Sequence, residues 1–410
     1  MKNKNSLISN LSYTTIGMVL YNITLWFLGF LVLRILGDFE SGYYGVAMTI
    51  GATLYGVALW GLRSFIVSDN DYGFTYFEYA IVRIITIIIS SIIMIVYIFK
   101  NSFGTYQNIV IILYSMFKFG EALIELIDCF LQKQLKMDIN AKSMILRSIL
   151  LFIGFFISIK LTNNLILGLI IMNVVTLGIL VFYNFKKFKE LFVFEKIFKL
   201  KNVTKVLWLT FPIMGFEMLS ALTVSIPRIK YATIGDIGKL GIYISIYTIV
   251  IFLQLAIQIV IVAFAPYMAK DYSEDRRKSF LKKLFTMFFI AISLGLIAEV
   301  LVYFLGEFAI GLVYGKNIAP YYTYMYLAIV SAVSLGITWI FSQLFVILKK
   351  NKEQLFCSII SVIVCYVLSK FMVDANDLNS ISKILILANT TFTIVALLIL
   401  FIDSKFKRVA

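Results

Sequence analysis

Four ionisable residues in one apolar stretch stand three, four and three positions apart: Lys118, Glu121, Glu125 and Asp128. On a helix that spacing puts them on one face, and such a face cannot point at lipid. Arg63, Glu78, Arg83 and Arg147 lie toward the ends of neighbouring apolar stretches. The set balances, with Arg63, Arg83, Lys118 and Arg147 against Glu78, Glu121, Glu125 and Asp128. Two chemistries suit it: a static ion-pair network that holds helices together, or a gate whose pairs break and re-form. The bases are also candidates to hold a phosphate group, for which Arg is well shaped. Glu125 and Asp128 are candidate carriers of a proton or cation.

A second constellation lies near residue 220. Glu217, Ala221, Val224 and Arg228 share one helical face, between and beside Pro212 and Pro227. Each proline removes a backbone hydrogen bond and bends a helix. Glu217 lies deep in its stretch, where a permanent unpaired charge is costly; it is the leading candidate for ion coupling. Arg228 is a candidate anion ligand, against the alternative that it reaches out to lipid head groups.

Other chemistry is excluded. The chain has no histidine, so imidazole is not available as ligand, base or relay. Cys129, Cys357 and Cys365 have no paired spacing, hence no disulfide framework and no metal site. No cofactor motif is present. The formal charge of +15 is not a nucleic-acid signal, because the basic residues sit in short gaps between apolar stretches.

Those stretches are the elements that must position the charges. Twelve run through the sequence, near 12–36, 41–67, 76–98, 106–128, 143–160, 163–184, 207–231, 240–266, 284–306, 320–348, 355–373 and 384–402. The chain is 61% hydrophobic, with a mean hydropathy of +0.94. Each stretch suffices to cross a hydrocarbon core of about 30 Å as a helix. They are too long and too continuously apolar for barrel strands. The expected fold is an all-α polytopic membrane protein with twelve transmembrane helices. Most of the 37 Lys and Arg fall in alternate gaps, which places those gaps and both termini in the cytoplasm.

The longest such gap, 185–206, alternates Phe and Leu with Lys, as an amphipathic helix on a membrane surface does. It lies at the midpoint and reads as a connector between two six-helix halves, 1–184 and 207–410. A short repeat supports two halves. Leu36-Gly37-Asp38 and Gly42-Tyr43-Tyr44 follow Arg34; Ile234-Gly235-Asp236 and Gly241-Ile242-Tyr243 follow Arg228. Parallel repeats of this kind enclose a central cleft. Tyr13, Tyr21, Asn22 and Trp26 are placed either to stack on sugar rings there or to pack.

Three segments together resemble the polysaccharide repeat-unit flippases of the multidrug/oligosaccharidyl-lipid/polysaccharide exporter superfamily. They are Leu59-Trp60-Gly61-Leu62-Arg63 with Asp69, Phe77-Glu78-Tyr79 and Arg83; Ser225-Ile226-Pro227-Arg228 with Gly241-Ile242-Tyr243; and Gly306-Glu307 with Leu312-Val313-Tyr314-Gly315-Lys316. Pro227 stands where many relatives carry an acidic residue, as in a subgroup associated with capsule and O-antigen. The resemblance covers nearly the whole chain. It implies a flippase, not an enzyme, in the bacterial cytoplasmic (inner) membrane. That flippase moves an undecaprenyl-pyrophosphate-linked oligosaccharide by alternating access, with an ion gradient as driving force and no cofactor. Its partners would be the lipid-linked substrate, membrane lipids and other polysaccharide-assembly proteins. On this reading Arg63, Arg83, Lys118 and Arg228 bind substrate, while Glu217, Glu125 and Asp128 couple the ion. A drug or cation antiporter would use the same scaffold. A membrane glycan polymerase or ligase would need a larger outward loop than this chain has.

The charge pattern makes a topological prediction. Single cysteines replacing Ser273 and Asn317 are expected to react with a membrane-impermeant maleimide from opposite sides, Ser273→Cys from the cytoplasm. Labelling of both from the periplasm would refute the alternation.

Overall fold

Long apolar runs with few internal breakers leave the backbone one way to satisfy itself in lipid, the helix. The computed structural model describes residues 2–68, 73–101, 103–134, 136–192 and 199–402, apart from the side chains of residues 2–15, Ser64 and Ser68. Asp69, connector residues 193–198 and the carboxyl-terminal residues 403–410 lie outside the described residues. Twelve long helices follow in order: α1 (Lys2–Leu31), α2 (Asp38–Leu59), α3 (Tyr76–Lys100), α4 (Thr105–Lys133), α5 (Met137–Thr162) and α6 (Leu165–Ile179); then α7 (Leu200–Ile234), α8 (Ile237–Ser273), α9 (Arg277–Tyr314), α10 (Tyr324–Ile347), α11 (Asn351–Met372) and α12 (Asn379–Ile402). No β-strand occurs among the described residues. Each expected apolar stretch overlaps one of these helices, in order.

Ten helical segments are long and apolar enough to cross a membrane among the described residues. The exceptions, α2 and α4, are among the most enclosed: more than half of the residues in each are buried. A helix wrapped by protein need not match lipid, so it can carry polar side chains. That is why α4 holds the charged face. Helix starts are set by side-chain caps. Thr75 and Glu78 form a reciprocal capping box at α3, Asn164 accepts from the amides of Ile166 and Leu167 at α6, and Asp236 accepts from Lys239 at α8. The two Gly-Asp repeats both sit where a helix begins, at α2 and α8.

The chain packs as two compact units, Met1–Met218 and Leu219–Ala410. Helix α7 is therefore divided, its first part counting with the first unit. Pro212 and Pro227 lie within its continuous helical run. Part of the first unit's core gathers Leu62, Ile66, Tyr79, Val82, Leu126 and Phe130 with Val203, Val206 and Met214 from α7. The connector contributes a short helix, Lys186–Leu191. Its apolar face is turned to protein: Phe188 and Phe192 are buried and stack at 4.9 Å, with Phe192 5.0 Å from the ring of Tyr76. In the second unit, Gly295 of α9 lets Val333 of α10 approach so closely that a Cβ would stand 2.5 Å from it; small residues allow such contacts in membranes.

The second apolar stretch departs from expectation. It is not one helix: α2 ends at Leu59 and a short helix, Leu62–Ser68, follows. Trp60 and Gly61 have φ of +52° and +65°, a left-handed pair that reverses the helical path. Trp60 is anchored there by its indole N–H, which donates to the carbonyl of Leu207 at 3.1 Å. Gly61 lies against Ile213, 2.6 Å from where a Cβ would be.

Gly61→Ala should therefore be strongly destabilising, by about 1–2 kcal/mol for the left-handed backbone and about 1–3 kcal/mol for overpacking. Gly56→Ala, with open space at its Cβ, should be neutral or stabilising by up to about 1 kcal/mol. Thermal unfolding of both variants in detergent checks this; equal midpoints would show that the break does not depend on glycine.

Candidate functional site

Helix α4 delivers its charged face into the first unit as the spacing required. Glu121, Glu125 and Asp128 are all buried. Each of two carboxylates is held by two cations. Glu125 accepts from Arg63 Nε at 2.9 Å and from Arg83 Nη2 at 2.5 Å, and takes the Cys129 thiol at 3.2 Å. Glu121 accepts from Arg147 Nη1 at 2.9 Å, from Lys118 Nζ at 3.2 Å and from the Tyr21 hydroxyl. Aromatic faces complete the shells. Arg147 lies 4.7 Å over the Tyr21 ring, and Lys118 lies 5.0 Å over Phe117 and 5.3 Å over Tyr55.

The expected balance of four bases and four acids is corrected in two places. Glu78 takes no part: it caps α3 and accepts from the Lys199 amide and the Asn202 side chain at 3.0 and 2.7 Å. Its work is to tie the start of α7 to α3. Asp128 is 2% exposed, forms no ion pair among the described residues, and its Oδ1 has no hydrogen-bond partner. Tyr21 is absorbed into the network rather than free to stack on a ligand. Asn22 is turned back to its own helix, donating to the carbonyl of Met18 at 2.8 Å. Trp26 packs with Phe27 and Phe30.

Beside the network lies a cavity of about 480 Å³ within the first unit. Its polar lining is Tyr55, Arg63, Glu125, Gln132, Asn140 and Glu217, with Met18, Leu59, Met137 and Met144 among its apolar walls. The broken helix explains the placement of Arg63. The left-handed turn at Trp60–Gly61 starts a new helix at Leu62, and the Arg63 side chain, 42% exposed, reaches Glu125 from the cavity wall. It also donates to Gln132 at 2.8 Å. Arg83, by contrast, is fully buried and bonds the carbonyl of Ala58 as well as Glu125. Glu217 faces this cavity without an ion-pair partner among the described residues, while Lys118 is already taken by Glu121. Gln132, Asn140, Tyr55 and Cys129 were not singled out in the sequence, since uncharged side chains at helical spacing carry no signal of their own.

The second unit holds a different arrangement. Arg228 is 9% exposed, with its guanidinium 4.4 Å above the ring of Tyr247. Its Nε and Nη2 have no hydrogen-bond partner, and no carboxylate pairs with it among the described residues. Hydroxyls surround it. Tyr247 accepts from Gln254 and Ser331 at 3.3 and 3.4 Å, and Tyr243 shares a 2.6 Å bond with Ser382. Arg228 is thus enclosed by protein and turned to Tyr247. Arg34, its counterpart in the repeat, is exposed.

No family model matches the sequence. The capsular polysaccharide biosynthesis protein CapF of Staphylococcus aureus is 25% identical over 328 residues, which cover 76% of this chain and 78% of that one. In fold the chain is similar to the lipid II flippase MurJ in an inward closed conformation, with TM-score 0.70 and 14% identity over 97% of this chain and 89% of that one. It is also similar to the MATE transporter VcmN of Vibrio cholerae, with TM-score 0.63 and 13% identity over 99% of this chain and 100% of that one. A multidrug resistance MATE family transporter of the MOP superfamily, inward-facing, gives TM-score 0.67 at 14% identity, covering 96% of each chain. The helices define a multi-pass membrane protein, and its fold is similar to that of these transporters and of the flippase. The likeness to a capsular polysaccharide biosynthesis protein and to a flippase agrees with the resemblance read from the sequence.

The ion pairs make a prediction that separates a static network from a gate. Glu125→Gln would leave the fully buried Arg83 without its carboxylate and should cost about 3–5 kcal/mol. Combining it with Arg83→Gln should recover part of that loss. A cost below about 1 kcal/mol, measured as a shift in thermal unfolding, would mean that the pairs are loose and belong to a gate.

Proposed function

We propose that this protein is a flippase that carries an undecaprenyl-pyrophosphate-linked oligosaccharide repeat unit from the inner to the outer leaflet of a bacterial cytoplasmic membrane, for capsule, O-antigen or exopolysaccharide assembly. The observation that carries the reading is Arg228. A nearly buried guanidinium with two unpartnered nitrogens is costly unless an anion completes it, and its planar fork suits a phosphate. The similarity to a capsule protein supports the substrate class. No covalent step is needed, because the task is to spare a large polar head group its passage through hydrocarbon.

In this reading the two halves, 1–184 and 207–410 joined by the connector 185–206, work by alternating access, with both termini in the cytoplasm. Of the remaining bases, Arg63 is the one open to a cavity, so it is the second candidate to touch substrate. Arg83 and Lys118 act from behind, by holding Glu125 and Glu121. Glu217 is the candidate coupling group. A carboxyl group whose proton or cation affinity differs between inward-open and outward-open states ties a gradient to a conformational equilibrium. Glu125 and Asp128 line the same face of α4 and are the alternatives. One observation favours the antiporter reading: an unpaired carboxylate in a cavity also suits a cationic drug.

Reconstituted vesicles test both readings. Arg228→Ala should slow translocation of a fluorescent lipid-linked oligosaccharide roughly tenfold to a hundredfold, the worth of charge-assisted hydrogen bonds at about 1.5–3 kcal/mol. Arg228→Lys should fall between. Glu217→Gln should fold normally but lose the dependence on an imposed ion gradient. Wild-type translocation by Arg228→Ala would remove Arg228 from the substrate site, and gradient-driven efflux of a cationic dye with no movement of the lipid-linked glycan would overturn the flippase reading.

A further inference from the structure

The second unit holds an apolar groove of about 770 Å³, walled by α9, α10 and α12. Leu281, Phe285 and Phe288 of α9 face Phe341 and Leu344 of α10 and Leu397 of α12 across it. Phe288 and Phe341 lie 5.3 Å apart. Every lining side chain is Leu, Ile or Phe, so the groove selects a hydrocarbon chain but cannot by itself choose among lipids.

The choice is made one turn away. The loop and helix start at 267–283 carry six cations, and four of them are spent on acids of the same segment. Lys283 and Arg276 bind Asp271, Arg276 also binds Glu274, Arg277 binds Asp275, and Lys270 approaches Glu274. Lys278 and Lys282 are exposed and have no carboxylate partner among the described residues. They stand four residues apart on α9. Leu281 follows Lys278 by three, and Phe285 follows Lys282 by three, so both lysines continue the stripe that lines the groove.

We propose that this groove is a binding site for an anionic phospholipid of the inner leaflet, its acyl chain in the groove and its phosphate held by Lys278 and Lys282. The charge complementarity carries the assignment: two cations without a carboxylate partner among the described residues, in helical register with the residues of a wholly apolar groove, match a phosphate on a hydrocarbon chain. The cytoplasmic leaflet, where the charge pattern places this loop, is the anionic one. The site does not depend on the flippase reading. It would make activity responsive to lipid composition through a surface that substrate need not touch.

The test uses the full chain in vesicles of equal phosphatidylglycerol and phosphatidylcholine, with a photoreactive benzophenone amino acid in place of Phe288. Mass spectrometry of the crosslinked lipid should show phosphatidylglycerol enriched at least about fivefold over the bulk ratio, the selectivity one lysine confers near an anionic surface. The same probe in place of Phe304, an exposed residue on α9 outside the groove, should return the bulk ratio. Lys278→Ala with Lys282→Ala should abolish the enrichment, and Lys→Arg at both positions should keep it. Bulk-ratio crosslinking at residue 288, enrichment that survives the alanine pair, or crosslinking to a second copy of the chain would overturn the proposal.

Discussion

The cost of charge away from water governs the first unit. Arg63, Arg83, Lys118 and Arg147 lie among its helices with Glu121, Glu125 and Asp128, and hydrocarbon offers none of them hydration. The structure resolves this by giving each of two glutamates two cations, Glu125 with Arg63 and Arg83, Glu121 with Lys118 and Arg147. A carboxylate has room for several donors, so one acid on α4 can hold bases from two elements at once. Arg63 follows the helix break, Arg83 comes from α3 and Arg147 from α5. The charged face of α4 is therefore the axle to which neighbouring helices are pinned. An apolar replacement could pack equally well. What the ion pairs add is register, because a guanidinium must meet its carboxylate at one height along the helix.

Much of this was legible from residue spacing. Apolar runs of membrane length gave the helices, and the three-four-three spacing on α4 fixed which face turns inward. Spacing could not say which acid pairs with which base. Glu78 looked like one more partner, but it stands three residues after Thr75 at a helix start, and that offset is the signature of a capping box. The break after Leu59 was also hidden, because Trp60 and Gly61 continue the apolar pattern. Hydropathy does not register a left-handed backbone. The aromatic residues of α1 were ambiguous for a related reason: a tyrosine's role depends on what lies beside its hydroxyl, and for Tyr21 that is Glu121, 100 residues further along the chain.

The two units treat buried charge in opposite ways. In the first, Glu121 and Glu125 each hold two bases, while Asp128 and Glu217 form no ion pair among the described residues. In the second, the buried guanidinium of Arg228 is covered by a tyrosine face and keeps two nitrogens without a hydrogen-bond partner.

The helix break at Trp60–Gly61 links scaffold to site. The left-handed pair resets the phase, so Leu59, Gly61, Leu62 and Arg63 all line the cavity that Glu217 faces. The pair is itself held by α7, through Leu207 and Ile213, on the same helix that carries Glu217. Any change in the path of α7 is thus felt at Arg63 and Glu217 together. A base and an acid on one cavity wall, tied to one helix, are placed so that altering the charge state of either alters the other's field. The strained turn is in this sense part of the site, although it contributes no side chain that could bind a ligand directly.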